Sequence, residues 1–205
     1  MKKVLFALTA LAALALMAPN SVVAANNNHI GIYATETPDI NDLEASATLE
    51  LSEGQFTIYV LVTMPYNDNT GMAMENLGGF EFRIEWPADW FVTPTLHASA
   101  TNFLSAPDFF CGANAPVVNN MVTVVSLACG TFDFSPTLFH ITPISDPSQQ
   151  TIPGSIAITD ADDNFSISEA FPSSGDFANP VFGFNMTVVS NEDKAWGGVK
   201  ALFSQ

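Results

Sequence analysis

Asp160-Ala161-Asp162-Asp163-Asn164 places three carboxylates and an amide within five residues. Carboxylates this close repel one another until a cation intervenes, and Ca²⁺ accepts six to eight oxygen ligands in flexible geometry. Asp160, Asp162 and Asp163 are therefore candidate ligands of a structural Ca²⁺. The loop is not an EF-hand, because Phe165 stands at the sixth position and Phe171 at the twelfth, where that motif needs glycine and glutamate. The second candidate chemistry is aromatic stacking. Trp86, Trp90 and Phe91 surround the turn Pro87-Ala88-Asp89, and Phe109-Phe110 precede Cys111. Trp86 continues the core face of its strand, which leaves Trp90 and Phe91 as candidates to stack on a sugar or anchor a protein partner.

Catalytic equipment is sparse. His29, His97 and His140 are scattered through β-rich segments, and neither Gly-x-Ser-x-Gly nor His-Glu-x-x-His occurs. Glu81 and Glu85 would share a strand face about 13 Å apart. Glycosidic pairs need carboxyl separations of about 5 to 9.5 Å. The sequence thus reads as non-catalytic. Cys111 and Cys129 lack a CxxC spacing and histidine neighbours, which argues against zinc, and a disulfide between them is expected to stabilise by about 3 kcal/mol.

These residues need strands to place them, and alternation with period two dominates the chain. In Gln55 to Val62, Phe56, Ile58, Val60 and Val62 take one face. In Gly79 to Trp86, Phe80, Phe82, Ile84 and Trp86 alternate with Glu81, Arg83 and Glu85, so one face reads as core and the other as water. Less regular β-rich runs occupy His29 to Ala34, Ala45 to Leu51, Phe91 to Leu96, Met121 to Cys129, Thr137 to Ile144, Gly154 to Thr159 and Val181 to Val189. Turn formers separate them, helical periodicity is nearly absent and no repeat of fixed period occurs. The pattern indicates an all-β fold, a single antiparallel β-sandwich of about nine strands, and alternation alone fits jelly-roll and immunoglobulin-like topologies equally.

The N-terminus carries Lys2 and Lys3, an apolar run from Val4 to Met17 and small residues at Ser21 to Ala25. This is the layout of a secretory signal peptide (1–25), cut near Ala24 or Ala25, and it implies a secreted protein in a compartment that permits disulfides. Residues 26–190 form the expected sandwich domain. Residues 191–205 form a C-terminal tail, a short helix or an extended segment. Beyond the leader, 21 acidic side chains face three basic ones, Arg83, Lys194 and Lys200, a net charge of −18. Such a chain repels phosphate backbones and anionic lipid surfaces, which disfavours nucleic-acid and membrane partners.

The segment Gly79-Phe80-Glu81-Phe82-Arg83-Ile84-Glu85-Trp86, and later Gly154-Ser155-Ile156-Ala157-Ile158-Thr159-Asp160, resembles strands of cohesin-like and related carbohydrate-binding β-sandwich modules. The ending Trp196-Gly197-Gly198-Val199-Lys200-Ala201-Leu202-Phe203 is similar to the C-termini of many small secreted bacterial proteins. The resemblance implies a nine-stranded jelly roll with a binding role. The expected function is an exported binding or adhesion module for carbohydrate or protein. The alternatives are a self-associating subunit of an envelope layer or filament and, less favoured, a glycoside-acting enzyme.

Overall fold

The computed structural model describes residues 27–188, so the expected leader and the 191–205 tail lie outside the described residues. Alternating apolar runs underlie the longer of the strands, which follow in chain order as β1 (His29–Tyr33), β2 (Thr48–Leu49), β3 (Gln55–Thr63), β4 (Tyr66–Asn67), β5 (Met72–Ala73), β6 (Asn76–Glu85), β7 (Phe91–Leu96), β8 (Thr101–Asn102), β9 (Asp108–Pro116), β10 (Met121–Gly130), β11 (Thr137–Thr142), β12 (Ile156–Asp160), β13 (Ser166–Pro172) and β14 (Phe182–Phe184). Two short 3-10 turns, Glu44–Ser46 and Pro147–Gln149, are the helical elements among the described residues. No helix there is long and apolar enough to cross a membrane.

The all-β expectation agrees with this architecture, but the strand count and the pairing do not. Fourteen strands replace the expected nine. Twelve of them join one sheet in the order β2-β14-β11-β6-β12-β13-β1-β3-β10-β7, with β9 on a further edge of β6 and β8 beyond it, while β4 and β5 form a separate hairpin. The sheet is mixed: β1 runs parallel to β13, and β14 parallel to β2. Each parallel contact spans only two residue pairs, whereas β3 and β10 pair over most of their length. Alternation cannot reveal such short contacts, because it reports the faces of a strand and not the direction of its neighbour.

Strands from both ends of the sheet feed one hydrophobic cluster. Ile32 and Val60 from β1 and β3, Phe82 and Ile84 from β6, Leu127 from β10 and Phe139 from β11 all belong to it and are fully buried. A bulge in β10 between Thr123 and Val125 lets two successive residues, Val124 and Val125, face that core. The edge strand β7 carries Pro94 opposite Leu127. Proline lacks an N–H and within sheets is confined to edges, where it blunts strand addition.

One expected solvent face is covered. Glu81 is only 2% exposed, and both of its carboxylate oxygens accept from the Thr151 N–H at 3.1 and 3.0 Å. The segment after the Pro147–Gln149 turn lies over it, while Glu85, farther along β6, stays exposed. Arg83 is held at 2.9 Å by Asp108, which also accepts from the Ser145 N–H and hydroxyl at 2.8 Å. The expected disulfide is absent: Cys111 and Cys129 are both free and buried. They stand on strands that are not ladder neighbours. Cys111 on β9 lies opposite Phe80 and Asn102, whereas Cys129 on β10 lies between Phe56 and Val92. Burial pushes both thiols up to about 12.

Candidate functional site

The ends of β3, β7 and β10 build a groove in which small residues make the floor and larger ones the walls. Gly130 sits between Phe91 and Gln55 in the ladder, and Ala128 sits between Thr93 and Thr57. With one side chain missing and the next a methyl group, the middle strand leaves a depression of about 660 Å³. Phe132, Phe134 and Glu53 also line it. The alternate residues of the same strands, Val92, Cys129 and Phe56, pack on the core side.

Two rings stand in water at this groove. Phe91 is 68% exposed and Phe132 is 93% exposed. Their centroids lie 6.2 Å apart with the planes at 85°, so together they form an open aromatic corner. Local bonds hold Phe132 outward: the Thr131 hydroxyl donates to the Asp133 carbonyl and accepts from the Asp133 N–H, both at 3.0 Å, and the Asp133 carboxylate accepts from the Ser135 N–H. Displaying a phenyl ring this way costs hydrophobic free energy, so the turn is preorganised around a feature that folding does not need.

Trp90 corrects the other half of the stacking expectation. It is 7% exposed and buried, not displayed. Its indole meets Phe56, Phe139 and Phe184 edge-to-face at 5.6, 5.3 and 5.0 Å, and Phe56 itself stacks on Phe184. Adjacent residues thus divide the work, with Trp90 plugging the core beneath the groove and Phe91 facing out of it. Composition flagged both positions but gave no direction for either. Phe132 was missed because it lies in a loop outside every alternating run. Phe109 and Phe110 divide in the same manner: Phe109 is buried, and Phe110 is exposed beside Phe103 at 6.2 Å, away from the groove.

In the acidic loop expected to hold calcium, side-chain amides meet the carboxylates. Asn67 on β4 is fully buried and donates its amide to Asp160 at 2.8 Å and to Asp163 at 3.0 Å. Its carbonyl oxygen accepts from the Asn69 and Thr70 N–H groups. Asn69 donates to Asp163 as well, whereas Asp162 turns to Asn76 at 2.9 Å. Amides therefore occupy the carboxylates, and among the described residues no group of three His, Cys, Asp or Glu side chains could hold a metal ion. Asn67 and Asn76 arrive from distant segments with these donors: Asp163 Oδ2 accepts from both Asn67 and Asn69, Asp160 Oδ2 from Asn67 and Asp162 Oδ2 from Asn76. The Asn67 and Asn69 amides hold the Asp163 carboxyl below its ordinary range.

The histidines remain apart. His29 lies on β1, His140 lies on β11 opposite Glu85, and His97 bonds Ser99 just after β7. Comparison with known proteins found no matching family model, no similar curated protein and no similar solved structure.

Proposed function

We propose that this chain is an exported, non-catalytic β-sandwich module that holds its ligand at the cell exterior in the Phe91 and Phe132 groove. Of the two ligand classes considered, carbohydrate and protein, carbohydrate fits better. The single observation that carries this reading is the exposed aromatic corner fixed over a depression floored by Gly130 and Ala128. Rings of this kind stack on the apolar faces of sugars, and Gln55, Thr57 and Thr93 supply neutral hydrogen-bonding groups beside them. The sandwich reading is supported by the single core shared by both ends of a sheet whose halves meet through the two-residue β1 and β13 contact. Pro94 on the β7 edge makes assembly through that strand the weaker alternative.

Isothermal calorimetry and a glycan array on residues 26–205 test the proposal. Saturable binding is expected, with Phe91→Ala and Phe132→Ala each weakening it by about fivefold or more while the circular dichroism spectrum is unchanged. Binding that survives both substitutions sinks the groove assignment. Repeating the titration in calcium and in chelator reads whether Asp160 and Asp163 exchange their Asn67 amide for a cation.

A further inference from the structure

Charge narrows the ligand of this groove. The described residues carry nineteen acidic side chains and one basic one, Arg83, and the latter is already paired with Asp108. A field of this sign repels uronates, sulfated sugars and phosphorylated polymers before they reach the surface, and attracts cations. The groove repeats that preference locally. Glu53 lines it and is exposed, and the two perpendicular rings of Phe91 and Phe132 present π faces whose negative potential favours an ammonium group. Among the described residues, no basic side chain lines the groove to offset Glu53.

Resting on the carbohydrate reading above, we infer that the groove takes an amine-bearing polysaccharide: sugar rings stack on Phe91 and Phe132, and an unacetylated ammonium group lies against Glu53 and the aromatic corner. Neutral sugars of the same shape satisfy the stacking half of this arrangement only. Acidic sugars meet Glu53 and the surrounding field as like charges.

The test is calorimetry on residues 26–205 at pH near 5.5, where primary amines are protonated and ordinary carboxylates ionised. Three oligomers of equal length are compared: a free 2-amino sugar, its N-acetylated counterpart and a uronate. The free-amine oligomer is expected to bind about fivefold more tightly than the acetylated one, in keeping with an exposed cation–π contact and one exposed ion pair. The uronate is expected not to bind. Glu53→Gln should erase most of the amine preference, and Phe91→Ala should weaken binding of both amino-sugar oligomers. Raising salt from about 0.05 to 0.5 M should shrink the preference through screening. Equal affinity for the two amino-sugar oligomers, or a preference that survives Glu53→Gln, overturns the amine assignment and leaves the carbohydrate groove standing. Failure of all three oligomers, together with an empty glycan array, overturns the carbohydrate reading itself.

Discussion

The two ends of β3 solve opposite problems. At Gln55 the chain leaves large apolar rings in water over a groove, and at Thr63 it leads into Tyr66–Asn67, where polar groups are taken out of water and paired among themselves. The groove end has a saturated interior, with Trp90, Phe56 and Phe184 packed ring against ring, and an unsatisfied exterior. The loop end has three carboxylates that attracted attention as a cation site, yet Asn67, Asn69 and Asn76 already answer them. The charges at this end thus have hydrogen-bond partners within the fold. At the groove end, the described residues leave Phe91 and Phe132 exposed.

Substitutions separate the two ends by what they damage. Trp90→Ala should be the most destructive, costing about 4 kcal/mol by opening a cavity under the groove, and urea unfolding monitored by circular dichroism checks it. A cost below about 1 kcal/mol would mean that Trp90 does not carry the core there. Asn67→Ala should cost about 2–3 kcal/mol by leaving the buried Asp160 carboxylate without its amide donor, with ligand affinity unchanged because the groove lies at the other end. Loss of ligand binding without loss of stability would invert the comparison. At the surface, Phe132→Ala should change stability by no more than about 0.5 kcal/mol while weakening the ligand, the reverse of Asn67→Ala.

Protonation sharpens the same contrast. Asp163 has its folded pKa depressed by the Asn67 and Asn69 amides, so its contribution is present above the ordinary value of 3.8 and is lost as pH falls below it. Asn67→Ala should flatten that acid limb in a plot of urea midpoint against pH. Cys111 and Cys129 are raised by burial from 9.0 to about 12, and Tyr33 from 10.0 to about 12. Their contribution is complete below pH 9 and is lost as pH climbs from 9 toward 12, so the alkaline limb should persist in every groove variant. Reductant should leave the thermal midpoint unchanged, and denatured protein without reductant should take up two equivalents of thiol reagent. No uptake would restore the bridge.

Strand legibility followed the contrast between the two faces. β6 declares itself most clearly, because Phe80, Phe82 and Ile84 recur at every second position with Glu81, Arg83 and Glu85 between, and β3 follows with Phe56, Ile58, Val60 and Val62 on one face. β13 hides because its pattern is inverted: Ile167, Glu169 and Phe171 point outward while Ser168, Ala170 and Pro172 are buried. β9 hides because its inward face shrinks from Phe109 and Cys111 to Ala113 and Ala115 while Phe110 faces out, which blurs the contrast between its faces, although its ladder with β6 is long. At the candidate site, Phe91 was visible as an aromatic in a strand, but nothing local distinguished it from Trp90, and Phe132 had no pattern at all.

Composition and periodicity were enough to establish an acidic, all-β chain, because net charge and two-residue alternation are properties of residues and their neighbours. The mixed sheet, the separated thiols, the burial of Glu81 and Trp90, the amide clamp on Asp160 and Asp163 and the groove at Phe91 and Phe132 were decided by tertiary structure. Each joins or separates segments tens of residues apart, and a strand's own pattern says which face is apolar without saying what will cover it.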